Sequence, residues 1–344
     1  MPLGGDTYTT YQPWIKEVLS IGPIQFMQNQ HFVEVLYPVL ASVPVRLGVA
    51  LNTEEIVTPI ILAVATVVAT GVLAREFKDS RVTILSVAFA AGWFAIYRMG
   101  ADFRGQFLAF PLLLLATTLL LRIGKTTHLP RDVALFVVLV GLATLSHVET
   151  TAVFVAIWVV TFLAFQLRGV IHKRRLLIVI AAALLISIPI LPAAVAKFPV
   201  FFSCGASCRP YPVYPIYWVE VLGPEIAVAI LGIALCLNQV RKAECEPIVK
   251  LVLTWSLLTI FVGALGYVFP WFDLAYSDRT LLMIPIPLLS AMATVWLIQR
   301  GGFLSRHANL IMLLIFVIPA VTAPSVFAYL VPQRFRYYPP NVLG

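Results

Sequence analysis

The sequence predicts an all-α membrane protein, a polytopic bundle of about ten transmembrane helices, on three observations. The mean hydropathy is +0.94 and only 12% of residues are charged, about half of the roughly 25% that is typical of soluble domains. Long apolar runs such as 112–121 and 176–196 do not alternate, whereas barrel strands alternate over roughly 10 residues. Lysines and arginines are concentrated in every second connection between such runs.

Ten apolar runs approach the roughly 20 residues that a helix needs to cross a bilayer. They lie at 56–74, 82–98, 105–121, 132–147, 150–167, 176–196, 221–239, 248–270, 280–298 and 308–330. The sequence therefore predicts an external part at 1–55, a helical bundle at 56–330 and a short external tail at 331–344.

The segment 31–51 is the ambiguous part of this division. It contains Glu34, Arg46 and two prolines, and it is less apolar than the other runs. We therefore predict a pair of juxtamembrane helices lying on the membrane surface. Residues 1–30 have no apolar run, so they are predicted to form an external loop.

The distribution of charge predicts the orientation. Counted together with Asp132 and Lys250 at their edges, the connections after the first, third, fifth, seventh and ninth spans hold 15 of the 24 lysines and arginines, and 11 of the 16 acidic residues lie elsewhere. Basic loops stay in the cytoplasm, so both termini are predicted to be outside. The net charge of +8 then reflects membrane topology and gives no reason to expect a nucleic-acid partner.

The predicted outer loops gather carboxylates, arginines and one histidine. The N-terminal stretch supplies Asp6, the turn SHVETT supplies His147 and Glu149, and the other loops supply Arg98, Asp102, Arg104, Asp273, Asp278 and Arg279. Ionisable groups close to the hydrocarbon usually face a cavity or a partner. Arginine matches phosphate oxygens, and a carboxylate can act as a general base or hold a divalent cation.

Simpler interpretations of the same residues stay open. Arg98 and Arg104 can extend to the interface, His147 can cap a helix, and Glu149 can interact favourably with the first turn of the next helix. The cysteines Cys204 and Cys208 in SCGASC are predicted to form a small-loop disulfide, since no further metal ligand has suitable spacing nearby. Cys236 and Cys245 are predicted to be inert thiols.

Three stretches resemble GT-C superfamily glycosyltransferases, polytopic enzymes that use polyprenyl-linked sugars. GGDTYTTYQPWIKEVL resembles the first external loop of that family, HFVEVLYPVLASVPVRLG the juxtamembrane segment that follows, and SDRTLLMIPIPLLSAMA the arginine at the outer start of a late helix. The resemblance implies a GT-C bundle and transfer of a sugar from a polyprenyl-phosphate donor to a hydroxyl acceptor.

The resemblance also implies roles for single residues. Asp6 is the expected catalytic base or acceptor-binding carboxylate, Asp102 is a second catalytic carboxylate, and Arg279 binds the lipid phosphate. Asp6 and Asp102 are the expected ligands of a divalent cation, Mg²⁺ or Mn²⁺, which some family members do not need. Further substrate contacts are expected from Arg98, Arg104, Tyr8 and Trp14. His147 and Glu149 have no counterpart in the family, and substrate contacts are expected from them on their placement alone.

Two departures from the family pattern bear on partners. Family members have a transmembrane helix before the aspartate loop, whereas Met1 lies five residues before Asp6. The expected explanations are an upstream start or a partner subunit that supplies the helix. The tail RFRYYPPNVLG is short, and WFD at 271–273 does not occupy the place of the family's W-W-D signature. Transfer of a large glycan to asparagine is therefore not expected.

Two other classes of function remain as alternatives. A non-catalytic subunit that uses a GT-C-like fold as a scaffold is consistent with the absent first helix. A transporter or lipid flippase predicts ionisable residues near the middle of the spans and broken helices at matching positions in two halves. The sequence has almost no midspan charge and no visible half-repeat, so transport is the weaker alternative.

Overall fold

The computed structural model describes residues 10–32, 34–101, 103–123, 129–166, 225–241, 245–268 and 279–300, with a few further residues within 177–185 and 302–310. Within these ranges every regular element is helical, so the predicted all-α class is confirmed for the described part of the chain. The helices are α1 Gln12–Ile21, α2 Pro23–Asn29, α3 Leu36–Arg46, α4 Leu51–Ala74, α5 Ser80–Gly92, α6 Phe94–Ala101, α7 Arg104–Arg122, α8 Leu129–Ser146, α9 Val148–Gln166, α10 Ile226–Val240, α11 Pro247–Val268 and α12 Ile286–Gln299.

Three of the described helices are long and apolar enough to cross a membrane. They are α4 with the 3₁₀ turn Arg75–Phe77 that continues it, α7, and the part of α11 from Pro247 to Leu265. Helices α5, α9, α10 and α12 contribute further apolar segments of 10–17 residues. The protein is therefore a helical membrane protein by the length and composition of these helices.

The two faces of α4 show how such a helix meets lipid. Thr66 and Ala69 point inward and are almost fully buried, whereas Ile60, Ile61 and Val64 are each more than half exposed. A soluble helix would place polar residues on its exposed face. An apolar exposed face beside an inward face with threonines is instead typical of a helix surrounded by hydrocarbon.

The predicted span 82–98 is wrong as a single helix, because the chain breaks at Trp93. This residue has an extended backbone between α5 and α6, and its ring is buried with its centroid 5.7 Å from that of Phe110. No proline marks the break. Residues 94–101 form α6, so most of the predicted loop 97–106 is helical in the described structure.

The predicted span 280–298 is also divided. A helical turn at 279–281 is separate from α12, which begins at Ile286 after Pro285. Proline has no backbone N–H to donate and restricts the residue before it, so the segment does not run on as one helix.

The predicted N-terminal loop is only partly a loop, because its described residues form α1 and α2. These helices have 10 and 7 residues and the juxtamembrane helix α3 has 11. At 1.5 Å per residue, none is long enough to cross a bilayer. Arg46 in α3 donates a hydrogen bond to the Val18 carbonyl of α1 at 2.9 Å, which holds these two helices together.

Close packing between neighbouring helices holds the bundle together. Helix α7 packs on α4 and α8, while α12 packs on α5 and α10. Among the described glycines the tightest approach is at Gly232 of α10, where an added Cβ atom would lie 2.3 Å from the Leu289 carbonyl oxygen of α12. Small residues at such crossings let helix backbones approach each other in membranes.

We expect Gly232→Ala to lower the free energy of unfolding by about 1–3 kcal/mol, because the new methyl group must separate two packed backbones. The measurement is thermal unfolding of the detergent-purified protein. Gly141→Ala in α8 is the matched control, since an added Cβ atom there meets nothing within 4 Å. A midpoint for Gly232→Ala equal to that of the control would contradict the packing described here.

Candidate functional site

Four separated parts of the chain meet at one end of the bundle. They are the start of α3, the junction of α6 with α7, the corner between α8 and α9, and the turn that begins at Arg279. The bond that ties the last of these to the bundle is a 2.7 Å hydrogen bond from the Gln106 side-chain amide to the Arg279 backbone carbonyl. Gln106 is fully buried, and the bond itself is partly buried.

Two of the predicted phosphate-binding arginines converge on one aromatic ring. The guanidinium carbons of Arg279 and Arg98 lie 5.0 and 5.7 Å from the centroid of the Phe103 ring. A cation at this distance is attracted by the ring, and more strongly where water is excluded. Phe103 and Arg98 are both buried, and Arg279 is about one-quarter exposed. The ring thus holds two positive charges near each other.

The short turn SHVETT places His147 between two helices, as its length predicted. Helix α8 ends at Ser146 and α9 begins at Val148, so His147 lies at the corner with its side chain buried. The Thr150 backbone N–H donates to His147 Nδ1 at 3.2 Å. In the neutral imidazole, Nδ1 is therefore the acceptor and Nε2 carries the proton.

The protonated nitrogen of His147 faces two carboxylates. His147 Nε2 lies 3.7 Å from Glu34 Oε1 and 3.9 Å from Glu149 Oε2. The same Glu149 oxygen lies 3.7 Å from Arg279 Nη1. Glu34, His147, Glu149 and Arg279 thus form a continuous polar chain, in which His147 and Arg279 lie beside the same oxygen of Glu149.

A second polar cluster lies beside this chain and is more deeply buried. It consists of Arg104, Tyr37, Glu54 and Glu55, which are all at most 2% exposed. The charge of Arg104 acts on the Tyr37 phenol and on both carboxylates. Burial raises the pKa of Tyr37, and the charge of Arg104 opposes this only in part, so the phenol keeps its proton.

Backbone contacts at Gly105 connect the two clusters. The Gly105 N–H donates to the Tyr11 hydroxyl at 3.1 Å, and the Tyr11 ring packs edge-on against Tyr37 with centroids 5.2 Å apart. An added Cβ atom on Gly105 would lie 2.6 Å from the Ser146 carbonyl oxygen. Only glycine lets the first turn of α7 lie this close to the corner that holds His147.

The N-terminal segment reaches the second cluster through one side chain. Gln12 donates to Glu55 Oε2 at 2.8 Å. Glu54 accepts from the Thr58 hydroxyl through Oε1 at 2.6 Å. Each glutamate therefore has one oxygen in a hydrogen bond, and the second oxygen of each has no hydrogen-bond partner among the described residues.

The structure brings together Arg98, His147, Glu149 and Arg279, as predicted. Arg98 and Arg104 are buried, so the simpler interpretation that they extend to the interface does not describe them. Trp14 packs on Tyr11 and Phe26, which accounts for it as part of the packing of α1 and α2. The remaining predicted site residues lie outside the described ranges: Asp6, Tyr8, Asp102, Asp273, Asp278, Cys204 and Cys208.

The predicted metal ligands lie outside the described residues, whereas the two predicted inert thiols lie within them. No group of three metal-ligating side chains occurs among the residues that the structure describes. The predicted ligands Asp6 and Asp102 are not among those residues, so a divalent cation stays a prediction. Cys236 is buried and Cys245 is half-buried, and both are free thiols.

Sequence reasoning missed Glu34, Tyr37, Glu54 and Glu55 as members of the site. The available signal was the pair TEE at the start of an apolar stretch, since two carboxylates beside a membrane span are costly without a purpose. The tyrosine and Glu34 gave no such signal, because only the packing of α3 against α7 and α8 brings them to this end.

Comparison with known proteins adds no family to this description. The chain matches no protein-family model. No curated protein is significantly similar to it.

Proposed function

We propose that the chain is an integral membrane glycosyltransferase of the GT-C type. It spans the membrane several times, with both termini outside, and its site lies at the outer face. It transfers one sugar from a polyprenyl-phosphate donor to a hydroxyl of a lipid, glycan or protein. The observation that carries the proposal is the convergence of Arg98, Arg279 and His147 at one end of an apolar helical bundle.

The proposed donor suits this end of the bundle in two ways. A polyprenyl chain is soluble only in hydrocarbon, and the exposed apolar face of α4 provides such surroundings. The phosphate is an anion at the membrane surface, where guanidinium groups offer paired donors. The Arg279 guanidinium and the His147 Nε2–H are hydrogen-bond donors within one connected group of side chains.

The proposed reaction needs one base and one stabilised leaving group. An acceptor hydroxyl oxygen bonds to the anomeric carbon of the sugar, and the bond from that carbon to the phosphate oxygen breaks. The hydroxyl proton passes to Asp6. Negative charge develops on the departing polyprenyl phosphate, and Arg279 with Arg98 stabilises it through charge-assisted hydrogen bonds in a partly buried site. Asp102 helps to hold a divalent cation where one is used.

The position of ionisable residues favours headgroup chemistry over transport. In α4 and α7, the charged residues lie within five residues of a helix end. A transport pathway instead places such residues near the bilayer midplane. The described helices thus hold their charges where lipid headgroups lie.

The test is sugar transfer in membranes that contain the chain, supplied with radiolabelled polyprenyl-phosphate sugars and their endogenous acceptors. We expect label to move to an acceptor and unlabelled polyprenyl phosphate to be released. Nucleotide sugars supplied to membranes stripped of polyprenyl phosphate are the matched control and should give no transfer. Transfer from the nucleotide sugars alone would contradict a lipid-linked donor.

A further inference from the structure

The second polar cluster has unmet hydrogen-bonding capacity of both kinds. Arg104 is fully buried, and its Nε, Nη1 and Nη2 atoms have no hydrogen-bond partner of good geometry among the described residues. The same holds for the Tyr37 hydroxyl, although Arg104 lies near enough for its charge to act on that group. The acceptors without a hydrogen-bond partner among the described residues are Glu54 Oε2 and Glu55 Oε1.

Such a cluster is costly unless another group completes it. A buried guanidinium without a partner is among the most unfavourable arrangements in a protein, and arginine cannot lose its proton to escape it. Arg104 donates no hydrogen bond to Glu54 or Glu55 within the described structure. Polar groups that interact across a longer gap are usually bridged.

The chemistry of a bridging ligand other than water follows by elimination. A phosphate diester would accept from Arg104 but has no hydrogen to donate to the unmatched oxygens Glu54 Oε2 and Glu55 Oε1. A metal ion would match the glutamates but would be repelled by Arg104 and would leave its donors unmatched. A hydroxyl group donates and accepts at the same time, so it can donate to a carboxylate while it accepts from the guanidinium or the phenol.

We propose that Arg104, Tyr37, Glu54 and Glu55 form a subsite for a hydroxyl-rich glycosyl headgroup. Several neighbouring hydroxyls of one pyranose ring match the donors and acceptors of this cluster together.

The subsite is placed beside the proposed phosphate site by the first turn of α7. Arg104 belongs to the subsite, and Gln106, two residues later, bonds to Arg279 of the arginine pair. A lipid-linked sugar has the same order of groups, with the sugar attached directly to the phosphate. The assignment of the sugar rests on the proposed function, whereas the demand for hydroxyl groups rests on the cluster itself.

The experiment compares a short polyprenyl phosphate with the same lipid phosphate carrying one of four sugars. Affinities of farnesyl phosphate and of hexosyl farnesyl phosphates (glucosyl, mannosyl, galactosyl and N-acetylglucosaminyl) are measured by calorimetry with the chain in lipid nanodiscs. Tyr37→Phe and Glu54→Gln are the variants, and each changes one polar group with almost no change in shape. Glu246→Gln, at the far end of the bundle beside Lys78, is the matched control.

We expect at least one hexosyl compound to bind wild type more tightly than farnesyl phosphate does. Each variant should reduce that sugar-dependent gain by about 10-fold, the usual effect of losing one hydrogen bond to a buried polar group. The affinity for farnesyl phosphate itself should stay unchanged. Thermal unfolding without ligand checks the fold, and Tyr37→Phe should not lower the midpoint, because its hydroxyl makes no well-formed bond.

Other outcomes separate this subsite from the proposed function. If the sugar adds affinity but neither variant alters the gain, the cluster binds water only and the subsite is wrong, while the proposed function stands. If no farnesyl compound binds but methyl hexosides bind wild type and not the variants, the subsite stands and the lipid-linked donor fails. Absence of binding by methyl hexosides and all farnesyl compounds overturns the subsite.

Discussion

Asp6→Asn is expected to reduce sugar transfer by about 10²–10⁴-fold, the usual contribution of a general base. Asparagine keeps the shape of the side chain and can still accept a hydrogen bond from the acceptor hydroxyl. It cannot take up the proton that must leave when that oxygen bonds to the sugar. The loss is therefore expected mainly in kcat, and KM for the acceptor should change little.

Asp79→Asn is the matched control for this substitution. Asp79 lies beyond the end of α4 that is far from Glu54. It caps α5 by accepting a 2.8 Å hydrogen bond from the Arg81 backbone N–H. Asparagine caps helices about as well as aspartate, so this variant should fold and transfer sugar as wild type does. Full activity in Asp6→Asn, in protein that inserts normally, would exclude Asp6 as the base.

Arg279→Gln is expected to lower kcat by about 10²–10³-fold, as the loss of one donor to a developing negative charge does in other enzymes. The side chain lies over the Phe103 ring at 5.0 Å and beside Glu149, and these contacts hold it in the proposed phosphate site. Its backbone carbonyl keeps the bond from Gln106. The substitution therefore removes the charge without releasing the turn.

Arg279→Lys refines this prediction. Lysine restores the charge but presents a compact ammonium in place of a planar fork, so we expect only partial recovery of the rate. The control is Arg300→Gln, which removes an arginine that lies 4.2 Å from the ring centroid of Trp296 at the far end of α12. If the lysine variant were fully active, a simple positive charge would suffice and paired donation to phosphate would be excluded.

The sequence predicted the helical class because its composition is that of a membrane protein and its long apolar runs do not alternate, and it located α4, α7 and α11 because they carry such runs. Alternation of the basic loops also predicted which loops share one side of the membrane. That is why His147, Glu149 and Arg279 were expected at a common end, and the structure does bring them into contact.

What the sequence did not show depends on tertiary packing. The break at Trp93 has no proline or glycine–proline signal, and it follows from the burial of the indole against Phe110. The cluster of Tyr37 and Arg104 joins residues far apart in the chain, and only the packing of α3 and α4 on α7 creates it. A single sequence contains no record of such pairings.

The most direct test of the proposed function is a single-turnover reaction of the purified chain in lipid nanodiscs with a synthetic polyprenyl-phosphate sugar and a membrane extract as acceptor. We predict one polyprenyl phosphate released for each sugar transferred, with both products lost together in Asp6→Asn and Arg279→Gln. A correctly folded wild-type chain that gives no turnover, or equal turnover in all three proteins, would contradict the account and would favour a scaffold subunit.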